Sequence, residues 1–301
     1  MLPFYPFYYI ACKDMIEIKY LRYFLLIMLP INILNFDWSA NELLYGRITG
    51  NLDIVNNAAY TFVALIPFVF LFKDQKLIPA TILAVNLVYI IQGAKRGALI
   101  AGLIGLLFFL YYKFKTINTK HLMRDISFVS AVSGTLIYYL YRYYYSKDYI
   151  VYRVQMMTEG HTAGRDIIYA SIFNNWLGGN ILQWFFGFGF AASPRVNDLR
   201  GFAHNDWLEL LSNFGLLGVF LYFVLFYQGF KTVLSKDFDP HKKVMLSCVL
   251  MMWLFISMIS MGYLESIFSI MVIVLAFLIG SSIPKEYGAN QNPVMVRNAN
   301  I

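Results

Sequence analysis

The chain has 301 residues, of which 59% are hydrophobic and 14% charged, against about 25% charged in an ordinary soluble domain. Together with a mean hydropathy of +0.58, this excludes a soluble globular enzyme and predicts an all-α polytopic membrane protein. The net charge of +7 lies largely in stretches between apolar runs, where it reads as an orientation signal rather than a nucleic-acid face; the two cysteines, Cys12 and Cys248, have neither metal-ligand nor disulfide spacing.

In chain order, the aromatic start MLPFYPFYYIAC lacks a basic leader and a small-residue cleavage site, so it reads as an interfacial segment or part of a span, not a signal peptide. Eight apolar runs follow, at 20–36, 58–72, 77–92, 97–112, 126–145, 214–230, 244–263 and 266–283, and are expected to be about eight transmembrane helices. Residues 1–284 are read as one transmembrane helical domain, 146–213 as its large outer-face loop, and 285–301 as a polar cytoplasmic tail. With the N-terminus inside, basic residues are more numerous on the cytoplasmic side, as orientation requires. The type of base also differs. Lysine dominates inside, whereas the outside holds Arg47, Arg96, Arg142, Arg153, Arg165, Arg195 and Arg200 beside Lys95 and Lys147. Arginine offers a planar fork that pairs bidentately with phosphate, so the outer face is expected to meet a phosphate-bearing ligand.

Three outer-face pieces carry candidate chemistry. Lys95, Arg96 and Gly97 lie where one apolar run ends and the next begins, and a helix start there favours an anion. Gly164-Arg165-Asp166 opens an amphipathic helix in the large loop. His204-Asn205-Asp206 precedes the sixth run; the histidine can take a proton from a sugar hydroxyl, Asp206 or Glu209 could orient it, and Asn205 is a good N-cap for a helix starting at Asp206. Trp184 and Trp207 offer indole faces for a sugar or anchors for the membrane interface. The sequence holds no H-E-x-x-H, D-x-D, G-x-x-x-x-G-K-[ST] or G-x-S-x-G motif, so neither a metal site nor a cofactor is expected.

These pieces, in this order, resemble the bacterial O-antigen ligase and O-antigen polymerase superfamily. KRG at 95–97 is similar to its S-R-G element, with Lys95 where serine is usual, and GRD at 164–166 to its loop arginine. FGFGF at 186–190 and AHNDWLELLSNFGLLG at 203–218 resemble its most recognisable signature, and YGRITGNLDIVNNAAY at 45–60 the element ahead of the second span. The resemblance covers roughly residues 45–283 and implies a GT-C-like, metal-independent membrane glycosyltransferase. It would act on oligosaccharides carried by undecaprenyl pyrophosphate at the outer, periplasmic face of the bacterial inner membrane. By that resemblance Arg96, Arg165 and His204 are the catalytic candidates; Lys95, Arg47, Asn205, Asp206 and Trp207 complete the substrate-binding set.

The expected activity is polymerisation of repeat units for a surface polysaccharide. The runner-up is ligation of the glycan to a lipid A core acceptor; both use the same donor. A transporter or flippase is a different class, and it usually carries ionisable residues inside its spans; the runs at 77–92, 97–112, 214–230 and 244–263 hold almost none. A non-catalytic subunit that binds glycan-lipid is the third alternative. Expected partners are the lipid-linked donor, the acceptor and membrane lipids, with no nucleic acid.

Overall fold

The structure, a computed structural model, describes residues 3–48, 58–72, 75, 77–93, 95–116, 164–236, 238–262 and 268–282, with scattered positions between 123 and 142. Of residues 40–48, 96 and 116 it describes the main chain alone. Among the described residues every regular element is helical: α1 (Phe4–Cys12), α2 (Ile18–Ile48), α3 (Ala58–Leu65) running on as a 3₁₀ segment (Ile66–Phe72), α4 (Leu77–Gln92), α5 (Arg96–Thr116), α6 (Arg165–Leu177), α7 (Ile181–Phe186), α8 (Ser193–Val196), α9 (Asp206–Leu234), α10 (Pro240–Ile259) and α11 (Ser269–Gly280). Four stretches, Ile18–Ser39, Gly97–Lys115, Asp206–Leu234 and Pro240–Ile259, are long and apolar enough to cross a membrane. The runs at Ala58–Phe72, Leu77–Gln92 and Ser269–Gly280 form shorter apolar helices. The run at 126–145 and the tail at 285–301 lie mostly or wholly outside the described residues.

The bundle is built around α3 and its 3₁₀ continuation, in which every residue is buried. A helix that is apolar on all sides has no face to offer water or a single neighbour, so it sits where partners surround it. Pro67 has no N–H to return to the previous turn, and there the α-helix gives way to the tighter winding. α2, α4, α5, α10 and α11 pack around this centre. Small residues permit the close approach: a Cβ at Gly105 of α5 would stand 2.6 Å from Ile66 Cγ2. Around the outside, α2, α5 and α9 expose Leu26, Ile27, Leu34, Leu103, Leu107, Phe220, Leu221 and Phe223, an apolar surface suited to lipid. α1 is a short helix docked on α11, with Ala11 buried between them.

Alternation of the helices gives the bundle two unlike ends. At one end Arg22 donates from Nε and Nη2 to Leu71 O (2.9 and 2.7 Å), Lys242 Nζ donates to Ser281 O (2.8 Å), and His241 meets the Tyr112 ring at the foot of α5 (4.9 Å). Lys113, Lys115 and Lys231 also lie in last turns at this end. The other end gathers the start of α3, the end of α4, the starts of α5, α6 and α9, and the end of α10. It holds His204.

Candidate active site at the histidine end

The last turn of α10 organises this end. A helix finishes with carbonyls that its own backbone cannot satisfy. Here two side chains from elsewhere meet them: Asn205 Nδ2 donates to Met258 O (2.9 Å) and Arg165 Nη1 to Ile259 O (3.1 Å). Asn205 serves α9 as well, its Oδ1 accepting from Trp207 N (3.0 Å) and Leu208 N (3.2 Å) as the N-cap. One carboxamide thus joins the start of α9 to the end of α10, and Arg165 pins the start of α6 to the same place. α5 joins them through Gly97, where a Cβ would collide with the Tyr60 hydroxyl and lie 3.4 Å from Ile259 Cδ1. That contact brings Lys95 and the first residue of α5, Arg96, to this end.

His204 precedes the Asn205 cap in a left-handed conformation (φ 50°), uncommon for a residue with a Cβ. Its imidazole is partly buried beside two cations. Burial first, then Arg165, then Lys95, pushes its pKa below the ordinary histidine value. At neutral pH the ring is therefore an unprotonated base. Arg165 and Lys95, drawn from two distant stretches, thus both act electrostatically on the His204 ring. Among the described residues Arg165 makes a single hydrogen bond, which leaves further guanidinium N–H groups able to meet an anion.

Other expected site residues take different places. Asp206 is fully buried; its Oδ2 accepts from Tyr222 OH (2.7 Å) and its Oδ1 from Gly262 N (2.7 Å), while Tyr222 OH accepts from Trp253 Nε1 (2.9 Å). Glu209 is also fully buried and accepts from Ser193 Oγ (2.7 Å) and Ala203 N, which holds the loop at 193–203 against α9. Both carboxylates thus brace the framework at the start of α9. Trp207 packs inward, stacked on Phe226 with its Nε1 donating to Ser257 Oγ (3.1 Å). The reason is helical: residues 204 and 205 precede the first turn of α9 and face the open end, whereas the next steps of the helix turn toward α10. Arg47 lies in the last turn of α2 and Arg96 at the first position of α5, each described by its main chain.

The aromatic loop is fixed by main chain. Phe188 N donates to Ser212 O (2.7 Å) and Gly189 N to Asn213 O (3.1 Å). Gly187 (φ 72°) and Gly215 (φ 62°) make the approach feasible, since a Cβ on either would stand 2.5 Å from the opposing backbone. Arg195, which matches no motif, donates to Phe190 O (3.0 Å) and Phe188 O (3.4 Å) and so holds this loop closed. Trp184 is exposed, with its Nε1 donating to Leu177 O (3.3 Å), in a surface that also shows Phe185, Phe186 and Phe190.

Two wall residues were not singled out from sequence: Tyr60, whose hydroxyl abuts Gly97, and Gln92 at the end of α4. Their signal is burial at this end of the bundle, which no local pattern carries. Chemically, the arrangement couples a cationic pair able to hold an anion with a neutral imidazole able to accept a proton. Set against known protein families, curated proteins and solved structures, the chain matches none of them.

Proposed function

We propose that the protein is a membrane glycosyltransferase that extends a surface polysaccharide by joining oligosaccharide repeat units carried on undecaprenyl pyrophosphate. In this reading the chain spans the bacterial inner membrane about eight times in a GT-C-like arrangement, with the histidine end on the periplasmic face. The observation that carries the reading is the meeting of Lys95, Arg165 and His204, with His204 held neutral by its surroundings.

The reaction uses each of them. The acceptor hydroxyl gives its proton to the His204 imidazole as its oxygen attacks C1 of the donor sugar. The C1–O bond to pyrophosphate breaks, and its electron pair leaves with the pyrophosphate oxygen. Arg165 and Lys95 offset that growing negative charge, with Arg96 as the third cation of the set. Displacement from the opposite face inverts C1. Asn205 positions His204 by fixing the turn that carries it.

The test is turnover by the purified protein in lipid nanodiscs, supplied with undecaprenyl-pyrophosphate-linked oligosaccharide. Release of undecaprenyl pyrophosphate with growth of the lipid-linked glycan is expected. Release only when a lipid A core acceptor is added would replace polymerase by ligase, and release under neither condition would overturn the glycosyltransferase reading.

A further inference from the structure

α4 ends in an amide that the fold leaves with nothing to bond. Gln92 closes the helix one turn before Lys95, and it is 7% exposed. Both Nε2 and Oε1 are shielded from solvent, and neither has a hydrogen-bond partner among the described residues. Asn86, deeper in the same helix, at least returns its Nδ2 to Ile82 O (2.9 Å). An unpaired buried amide opposes folding, and an aliphatic residue like the neighbouring Val88 and Ile90 would fill the place without that penalty.

The location gives the amide a use. One turn below, Tyr89 stacks on Phe62 of α3 (4.7 Å), and the next residue, Gly93, lies against Ala59, where a Cβ would stand 2.5 Å from the Ala59 side chain. The last turn of α4 is thus pressed on the first turn of α3, beside Tyr60. Through Gly97, Tyr60 adjoins the start of α5 and the end of α10. Gln92 therefore lies at the level of the cationic site.

The chemistry of the group selects its ligand. A carboxamide presents one acceptor and two donors in a plane, so it can accept from one hydroxyl and donate to its neighbour. The diesterified pyrophosphate of a lipid-linked sugar is fully ionised at neutral pH, so it has no proton to give Oε1 and would leave that atom unpaired. Vicinal sugar hydroxyls satisfy both sides of the amide. We infer that Gln92 is a specificity-determining residue that hydrogen-bonds hydroxyls of the donor glycan, while Lys95 and Arg165 hold the pyrophosphate; this rests on the glycosyl-transfer reading above.

Gln92→Met keeps the side chain's length and removes its polar atoms. In nanodiscs, binding is measured for two probes, undecaprenyl-pyrophosphate-linked oligosaccharide and sugar-free undecaprenyl pyrophosphate. The variant is expected to weaken the sugar-bearing lipid roughly 10–100-fold and the sugar-free lipid less than about twofold. Its thermal midpoint should equal or exceed that of the wild type, because the amide has no partner to lose. Equal binding of the sugar-bearing lipid by variant and wild type would overturn the inference. So would a fall in thermal midpoint with parallel loss of both probes, the mark of a structural role. Gln92→Glu is the second variant. It keeps shape and polarity but loses the donors, and should also weaken the sugar-bearing lipid; wild-type affinity there would overturn the inference. If the wild type binds neither lipid, the glycosyltransferase reading fails first and the inference with it.

Discussion

Replacing Arg165 by lysine retains the charge and removes the fork. In the structure the guanidinium has one structural duty, the bond from Nη1 to Ile259 O (3.1 Å). A hydrogen bond involving a charged group contributes about 1.5–3 kcal/mol, and a lysine ammonium can still supply a single donor, so only part of that is lost. The catalytic loss is larger. One ammonium cannot cap Ile259 O and also present two parallel N–H groups to a phosphate. Removing one such donor to a developing oxyanion costs on the order of 10²–10³-fold in kcat, or about 3–4 kcal/mol. Arg165→Lys in nanodiscs should therefore show kcat lowered about 100- to 1,000-fold, KM within a few fold, and a thermal midpoint within a few degrees of wild type. Arg195→Lys is the comparator, since it also loses a fork, but one spent on Phe188 O and Phe190 O. It should lower the thermal midpoint while kcat of the folded fraction changes less than about threefold. A kcat loss below about fivefold at Arg165, or equal losses at both positions, would refute the assignment of Arg165 to the leaving group.

His204→Ala should insert and fold but lose about 10²–10⁴-fold in kcat, the contribution of a positioned base; near-wild-type turnover would leave His204 a packing role. Because burial, Arg165 and Lys95 all disfavour the imidazolium, the acid limb of kcat/KM should fall below the ordinary histidine value of about 6.5, and Lys95→Gln should move the limb upward. A limb that stays put, read from the pH profile, would separate Lys95 from the histidine. Turnover should survive EDTA, since Arg165 and Lys95 carry the charge neutralisation; loss on chelation with recovery on adding Mg²⁺ or Mn²⁺ would contradict that. In a background lacking Cys12 and Cys248, cysteines at the exposed Asn174 and Asn180 should react with an impermeant thiol reagent in spheroplasts, and cysteines at Lys115 and Lys236 should not. The reverse pattern would put the histidine end in the cytoplasm.

The helices were legible in the sequence because their cause is local. Runs such as 77–92 and 97–112 are apolar over most of their length and carry no charge, and Asn205 ahead of Asp206 reads as an N-cap before any tertiary contact is known. What the sequence could not show depends on contacts between distant residues. Asp206 has a histidine two positions before it, but it also accepts from Tyr222 and Gly262, 16 and 56 residues away, contacts that no local pattern shows. Arg195 fits no motif because its partners are main-chain carbonyls, which have no sequence signature. Gln92 was passed over for a related reason: a neutral amide inside an apolar run attracts notice only once its burial and its missing partners are seen. Lys95 and Arg165 were expected to share one face of the bundle, but their common action on one imidazole needed the fold.

The break at Gly215 also changes how α9 sits against a membrane. The full helix, Asp206–Leu234, is 29 residues long and carries two carboxylates in its first turns. The backbone leaves helical geometry at Gly215 (φ 62°, ψ −157°), and the part beyond it, 216–234, rises about 28 Å, close to the roughly 30 Å of a hydrocarbon core. The part before it, 206–214, holds the buried Asp206, Glu209, Ser212 and Asn213. A bilayer therefore meets a span with no carboxylate, and the acidic first turns rest on the protein's own hydrogen bonds. The glycine that lets the aromatic loop dock thereby also marks the depth at which the helix changes solvent.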